Sequence, residues 1–190
     1  MSDALIEKRE RFERTALPFL AAVYGMARRL TRSEEDAREL SQETFLRAFR
    51  TFENFRPGTN CKAWLLTILH SIFVNRYRKA KRAPITVPLE GLEERLAAPE
   101  SVEPGAPAGK PPEWSDAEVE AAFARLPVDF RSVVLMVDVE ELTYEETAAA
   151  LSCPVGTVRS RLFRARKLLA AALEEHARRA GYFGGGRDGR

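Results

Sequence analysis

The sequence predicts an all-α protein: two small helical domains joined by a Pro-rich flexible linker, the second a helix-turn-helix of the winged-helix-like four-helix kind. Three observations carry this prediction. Apolar residues recur at spacings of three and four, the period of an amphipathic helix. Seven of the 11 prolines fall between Pro84 and Pro112, in a stretch without a sustained apolar period. A short capped helix, a three-residue turn and a longer basic helix follow one another beyond residue 140. The expected boundaries are 1–82 for the first module, 83–113 for the linker, 114–180 for the second module and 181–190 for a disordered tail with five glycines.

In the first module a helical stretch over about residues 5–30 is interrupted near Pro18, whose ring suits a first helical turn better than an interior. Ser33 with Asp36 three residues later resembles a capping box and opens a helix to about residue 52. Along it Ala37, Leu40, Thr44, Phe45, Ala48, Phe49 and Phe52 form one buried stripe, leaving Glu39, Glu43 and Arg47 on the other side. After the RPGTN turn a third helix over residues 61–82 begins with a dense apolar body around Trp64, Leu65 and Leu66. It ends in Arg76, Arg78, Lys79, Lys81 and Arg82.

The linker, taken as 31 residues, spans about 30 Å as a flexible coil and roughly 95 Å as extended polyproline. Residues 84–120 hold nine acids against two bases, a charge that keeps off a polyanion. In the second module Ser115 with Glu118 caps a helix to about residue 126, and Pro127 starts another. Thr143 and Glu146 make a capping box for a short helix through Ala150, and Leu151, Ser152 and Cys153 form the turn. Small Ala148, Ala149 and Ala150 allow close approach to the long helix that follows, whose Val158 and Leu162 face back.

Composition excludes several function classes. With 45% hydrophobic and 31% charged residues, 190 residues bury one modest core or two small ones. The net charge of +2 makes distribution matter more than sum. No run approaches the ~18 apolar residues of a membrane span, and the start is too charged for a secretory signal, so a cytoplasmic location is expected. Cys61, Cys153, His70 and His176 lack zinc-ligand spacing, and no metal or cofactor is expected. Each cysteine sits at a helix start where a small residue packs well, which favours packing over thiol sensing. His70 reads as a helix-face residue and His176 as a solvated one. Neither a phosphate-cradling glycine loop nor a Ser/His/Asp set is visible, so an enzyme is not expected.

Two surfaces point to nucleic acid. Arg76, Arg78 and Lys79 interleave with Asn75 and Tyr77, and no acid occurs from Ser71 to Leu89. Basic residues in a last turn also complement the helix dipole, but the exclusion of acids favours phosphate contact. On the long helix of the second module Arg159, Ser160, Phe163 and Arg164 share a face. Arginine bonds a guanine edge bidentately, serine donates or accepts, and phenylalanine meets a thymine methyl. The bland alternative is a helical hairpin with a solvated arginine face.

Both modules, in this order, resemble the extracytoplasmic-function (ECF) sigma factors, the small two-domain class of bacterial transcription initiation factors. The resemblance rests on DARELSQETFLRAFRTFENFRPGTNCKAWLLTILHSIFVNRYRK and LPVDFRSVVLMVDVEELTYEETAAALSCPVGTVRSRLFRARKLL. Residues 13–31 and the GTN-KAWL segment look most like the branch held by zinc-binding anti-sigma proteins. The resemblance implies that Asp36, Glu39, Gln42 and Glu43 dock on core RNA polymerase, with Leu40 and Phe45 in the core. It implies that the helix of Trp64, Ser71, Asn75, Arg76, Arg78 and Lys79 reads the minus-10 element of promoter DNA as a single strand. Trp64 fits a core position as well as a base-stacking one. Ser71 stands where many members carry an asparagine that helps read a flipped base, whereas Asn75 matches, so the minus-10 preference does not carry over. Arg159, Ser160, Phe163 and Arg164 match the minus-35 reader. The function expected is a dissociable sigma subunit, stress-responsive and restrained by an anti-sigma factor. The alternative is a stand-alone helix-turn-helix regulator whose first domain senses a ligand or dimerises.

Overall fold

The computed structural model describes residues 3–82 and 116–179. The expected linker, the tail at 181–190 and the Ser115 cap lie outside the described residues, as does the side chain of His176. Among the described residues every regular element is helical, so the second module shows four helices and no wing strand.

The first module comprises α1 (Asp3–Ala16), α2 (Leu20–Thr31), α3 (Glu34–Arg50) and α4 (Cys61–Arg82). Pro18 sits in a 3-10 turn over Leu17–Phe19, where its missing N–H costs no helical bond. Ser33 Oγ accepts from the Asp36 N–H at 3.2 Å, and Glu34, Glu35 and Asp36 place negative charge at the positive end of the α3 dipole. The buried stripe of α3 is Ala37, Leu40, Thr44 and Ala48, continued by Phe52. Thr44 is tolerated there because its hydroxyl donates to the Leu40 carbonyl at 2.7 Å. Phe45 and Phe49 are half-buried and meet Phe12 edge-on, with ring centroids 6.4 and 5.3 Å away. Through α4 run Leu65, Leu66, Leu69 and Ile72, all sealed in the core.

The second module comprises α5 (Asp116–Arg125), α6 (Val128–Val134), α7 (Tyr144–Leu151) and α8 (Val155–Arg179), with one π turn at Leu135–Val139 extending α6. Thr143 and Glu146 form the expected capping box of α7, and the turn to α8 passes through Ser152 at φ 51°, a left-handed position. Ala148 and Ala150 pack against α8 while Val158 and Leu162 face back, but Ala149 points to solvent. A helix of this length buries only part of its circumference, and the run of three alanines exceeds it.

Arg131 is buried, and its guanidinium donates to the carbonyls of Phe123 (3.0 Å), Ala124 (3.2 Å), Leu126 (3.0 Å) and Leu30 (3.3 Å). The first three belong to the end of α5, where orphan carbonyls need donors. The fourth belongs to α2 of the other module.

The two modules are therefore not separated. The α4 helix lies against α7, and α2 lies against α5 and α6. Asn60 Nδ2 donates to Glu146 Oε1 at 2.8 Å, and Lys62 Nζ lies 3.8 Å from the Glu140 carboxylate while donating to the Glu140 carbonyl. Arg28 and Arg29 both reach Glu120, at 3.4 and 3.5 Å.

Candidate nucleic-acid interface

The face of α8 expected to read bases is presented intact: Arg159, Ser160, Phe163 and Arg164 are all exposed, Phe163 to 62%. A large ring standing this free in water on an otherwise basic helix is unusual unless something covers it. The Arg159 guanidinium lies 5.7 Å from the centre of the Tyr144 ring, and Lys167 Nζ 4.8 Å from that of Phe163. Two other arginines of α8 serve the fold instead. Arg161 pairs with Asp129 at 3.2 Å, and Arg166 grips Asp138 through two bonds of 3.0 and 2.5 Å.

The α4 candidates divide. Ser71, Asn75, Arg78 and Lys79 are exposed, and at about 100° per residue they occupy one side of the helix. Trp64 is half-buried against Phe55 and Phe52, with centroids 5.1 and 6.3 Å away, so it closes an aromatic cluster of the core. Arg76 turns the other way: its Nε donates to Glu43 at 3.1 Å and its Nη1 lies 3.6 Å from Glu39. The α4 residue assigned to DNA is thus held by the α3 carboxylates assigned to polymerase.

On α3, Asp36, Glu39 and Gln42 are exposed and Glu43 is half-buried beneath Arg76. Beside them Leu46 is 58% exposed, an apolar neighbour of the expected docking residues that sequence reasoning missed. The signal was available, since 39, 43, 46 and 50 share a helical stripe.

A cavity of about 500 Å³, also missed, opens between α1 and the turn before α4, lined by Arg11, Phe19, Phe52, Phe55, Thr59 and Asn60. Gly58 shapes its rim with φ 85°, a conformation an L side chain resists. Cys61 forms part of the wall, and burial pushes its thiol up to about 11, which leaves it inert as a nucleophile at neutral pH.

His70 departs from its reading as an ordinary helix-face residue. It lies where α4 meets the second module, its Nε2 is buried, and that atom has no hydrogen-bond partner among the described residues. No cluster of metal-ligating side chains and no helix long and apolar enough to cross a membrane occurs among the described residues.

Residues 17–83 match the Sigma-70 region 2 model and residues 116–169 the Sigma-70 region 4 model. The chain is 36% identical over 155 residues to the ECF RNA polymerase sigma factor SigE of Mycolicibacterium smegmatis, covering 82% of this chain and 58% of that one. It is 37% identical over 158 residues to EcfG of Rhodopseudomonas palustris, covering 83% and 81%. The structure of the sigma factor RpoE in complex with the anti-sigma factor NepR from Bartonella quintana superposes with a TM-score of 0.68 at 25% identity, covering 87% of this chain and 98% of that one. With both modules matched in order and relatives above 30% identity along most of their length, the chain belongs to the ECF sigma factor family of bacterial RNA polymerase.

Proposed function

We propose that the chain is a dissociable sigma subunit: it binds core RNA polymerase, places it at a promoter with paired minus-35 and minus-10 elements, and nucleates strand opening. The observation that carries this is the exposed set Arg159, Ser160, Phe163 and Arg164 on the first turns of α8, in a chain whose other module exposes Ser71, Asn75, Arg78 and Lys79 along α4. The first turns of a recognition helix are those that reach base edges in a major groove. The strip on α4 suits the phosphates of a single strand.

Asp36, Glu39, Gln42 and Glu43, with Leu46, form the polymerase-docking surface. The domain roles follow: 1–82 for docking and minus-10 opening, 83–113 as linker, 114–180 for the minus-35 element. The protein performs no covalent chemistry, acts in the cytoplasm beside its polymerase, and is restrained by an anti-sigma factor; the GTN-KAWL resemblance favours one that binds zinc. Adding the chain to core polymerase and scoring run-off transcripts from a promoter library tests the reading. Promoter-specific transcripts that vanish without the chain are the expected result. Binding to upstream DNA with no polymerase-dependent transcript would instead make it a stand-alone regulator.

A further inference from the structure

The packing of the two modules against each other includes a buried polar atom without a partner among the described residues. His70 projects from α4 toward the second module, where Asp129 of α6 and Arg161 of α8 face it, with Arg78 of its own helix nearby. Asp129 is already paired with Arg161 at 3.2 Å, so its pull on an imidazolium is offset by the guanidinium beside it. The buried Nε2 accepts or donates nothing among the described residues, a state a neutral ring tolerates and a charged one does not. The modules are also tied by polar contacts, Asn60 to Glu146, Lys62 to Glu140 and Arg131 to the Leu30 carbonyl.

We propose that the contact between α4 and the second module is a proton-released latch, closed while His70 is neutral and opened when His70 takes up a proton. Burial pushes the His70 imidazole down to about 4 from an ordinary 6.5; Asp129 opposes this, and Arg161 and Arg78 add to it. The closed form therefore binds fewer protons than the open one, and acid favours opening. Nothing is gained above pH 6.5, and the effect grows as pH falls from there toward 4. His70 on its own raises the open-to-closed ratio about tenfold between pH 7.5 and 5.5. Glu140 works the other way: burial holds its carboxyl above the ordinary range against the pull of Lys62, so closing favours its protonation.

Opening has a functional meaning that rests on the sigma reading. Elements centred near minus 35 and minus 10 lie about 85 Å apart along B-form DNA. A packed body of this size measures about 40 Å across, so the closed chain does not reach both.

The test is the distance between a donor and an acceptor dye at Glu35→Cys on α3 and Ala170→Cys on α8, both exposed positions, in the full chain with Cys61 and Cys153 replaced by Ser. It is read against pH with and without Asn60→Ala, which loosens the latch into the measurable range, with helicity recorded alongside. The expected result is a several-fold rise in the Asn60→Ala chain, abolished or reversed in His70→Gln and His70→Leu versions that still close at pH 7.5. A ratio that does not move with pH, an equal rise in the neutral variants, or variants that are helical but open at every pH would each overturn the proposal. No outcome depends on transcription, so failure of the latch and failure of the sigma reading are separable.

Discussion

Asn60 and Glu146 each cap a helix, one in each module, and they bond to each other. Asn60 Oδ1 accepts from the Ala63 N–H at the start of α4 (3.1 Å) while its Nδ2 donates to Glu146 Oε1 (2.8 Å). Glu146 Oε2 accepts from the Thr143 N–H (2.9 Å) and hydroxyl (3.0 Å) to close the α7 box. Burial works to raise the Glu146 carboxyl, but the Thr143 backbone bond and the Asn60 amide outweigh it and hold the group below its ordinary value. Asn60→Ala is expected to cost about 1 kcal/mol for the lost α4 cap. A double-mutant cycle with Glu146→Ala is expected to show a coupling of about 0.5–1 kcal/mol across the modules. Urea denaturation of the two single variants and the double variant measures both.

Arg131 is the second inter-module tie, and its loss leaves more behind. Burial pushes its guanidinium pKa down, yet it stays charged, held by carbonyls of α2 and of the α5 end. Arg131→Met keeps the stem and strands those carbonyls, with an expected loss of about 3 kcal/mol. Arg131→Lys supplies at most three donors and no planar fork, and is expected to recover only part. Thermal melts rank the three proteins. Equal stability of Arg131→Met and the parent would show that the carbonyls find other donors.

Much of this was legible from periodicity and caps. The α3 stripe, the Ser33 and Thr143 caps and the exposed face of α8 follow from local chemistry, which neighbouring residues suffice to specify. What was not legible depends on which residues meet across the chain. Asn60, Lys62 and Glu140 are ordinary surface types, and nothing local says that they join two modules. Arg76 read as a phosphate ligand because no acid lies near it in sequence, yet Glu43 lies beside it in space. Spacing fits Trp64 to the core and to base stacking alike, and that Phe52 and Phe55 lie against it depends on the fold.

The Arg76–Glu43 pair ties the proposed docking face of α3 to α4. Glu43→Lys alone sets two cations against each other, whereas Gln42→Lys disturbs no partner seen here and is expected to weaken core-polymerase binding with full helicity. The swap Glu43→Arg with Arg76→Glu restores the pair but leaves a positive charge on α3. It is expected to melt within a few degrees of the parent and still bind polymerase several-fold more weakly. Parent-like affinity in a core titration for both Gln42→Lys and the swap would remove the docking role from this face.

Tyr144 opens α7, and its ring lies beside Arg159 of α8, the first of the residues proposed to read bases. A guanidinium resting on a ring face loses rotamer freedom before DNA arrives, which favours a single approach to a base edge. Tyr144→Phe keeps the ring and is expected to retain the upstream base preference. Tyr144→Ala is expected to relax it at the positions that Arg159→Ala relaxes, with the two effects overlapping instead of adding. Arg164→Ala should cost about 1–3 kcal/mol and relax other positions. Lys167→Ala, one turn further on, should weaken all sequences alike and flatten the salt dependence. Arg166 is held by Asp138, so its removal should act on stability before it acts on binding. Selection from a minus-35 library, run at two salt concentrations for each variant, separates these outcomes. If Tyr144→Ala weakens binding evenly across sequences, the ring supports the fold or a phosphate contact and does not aim Arg159.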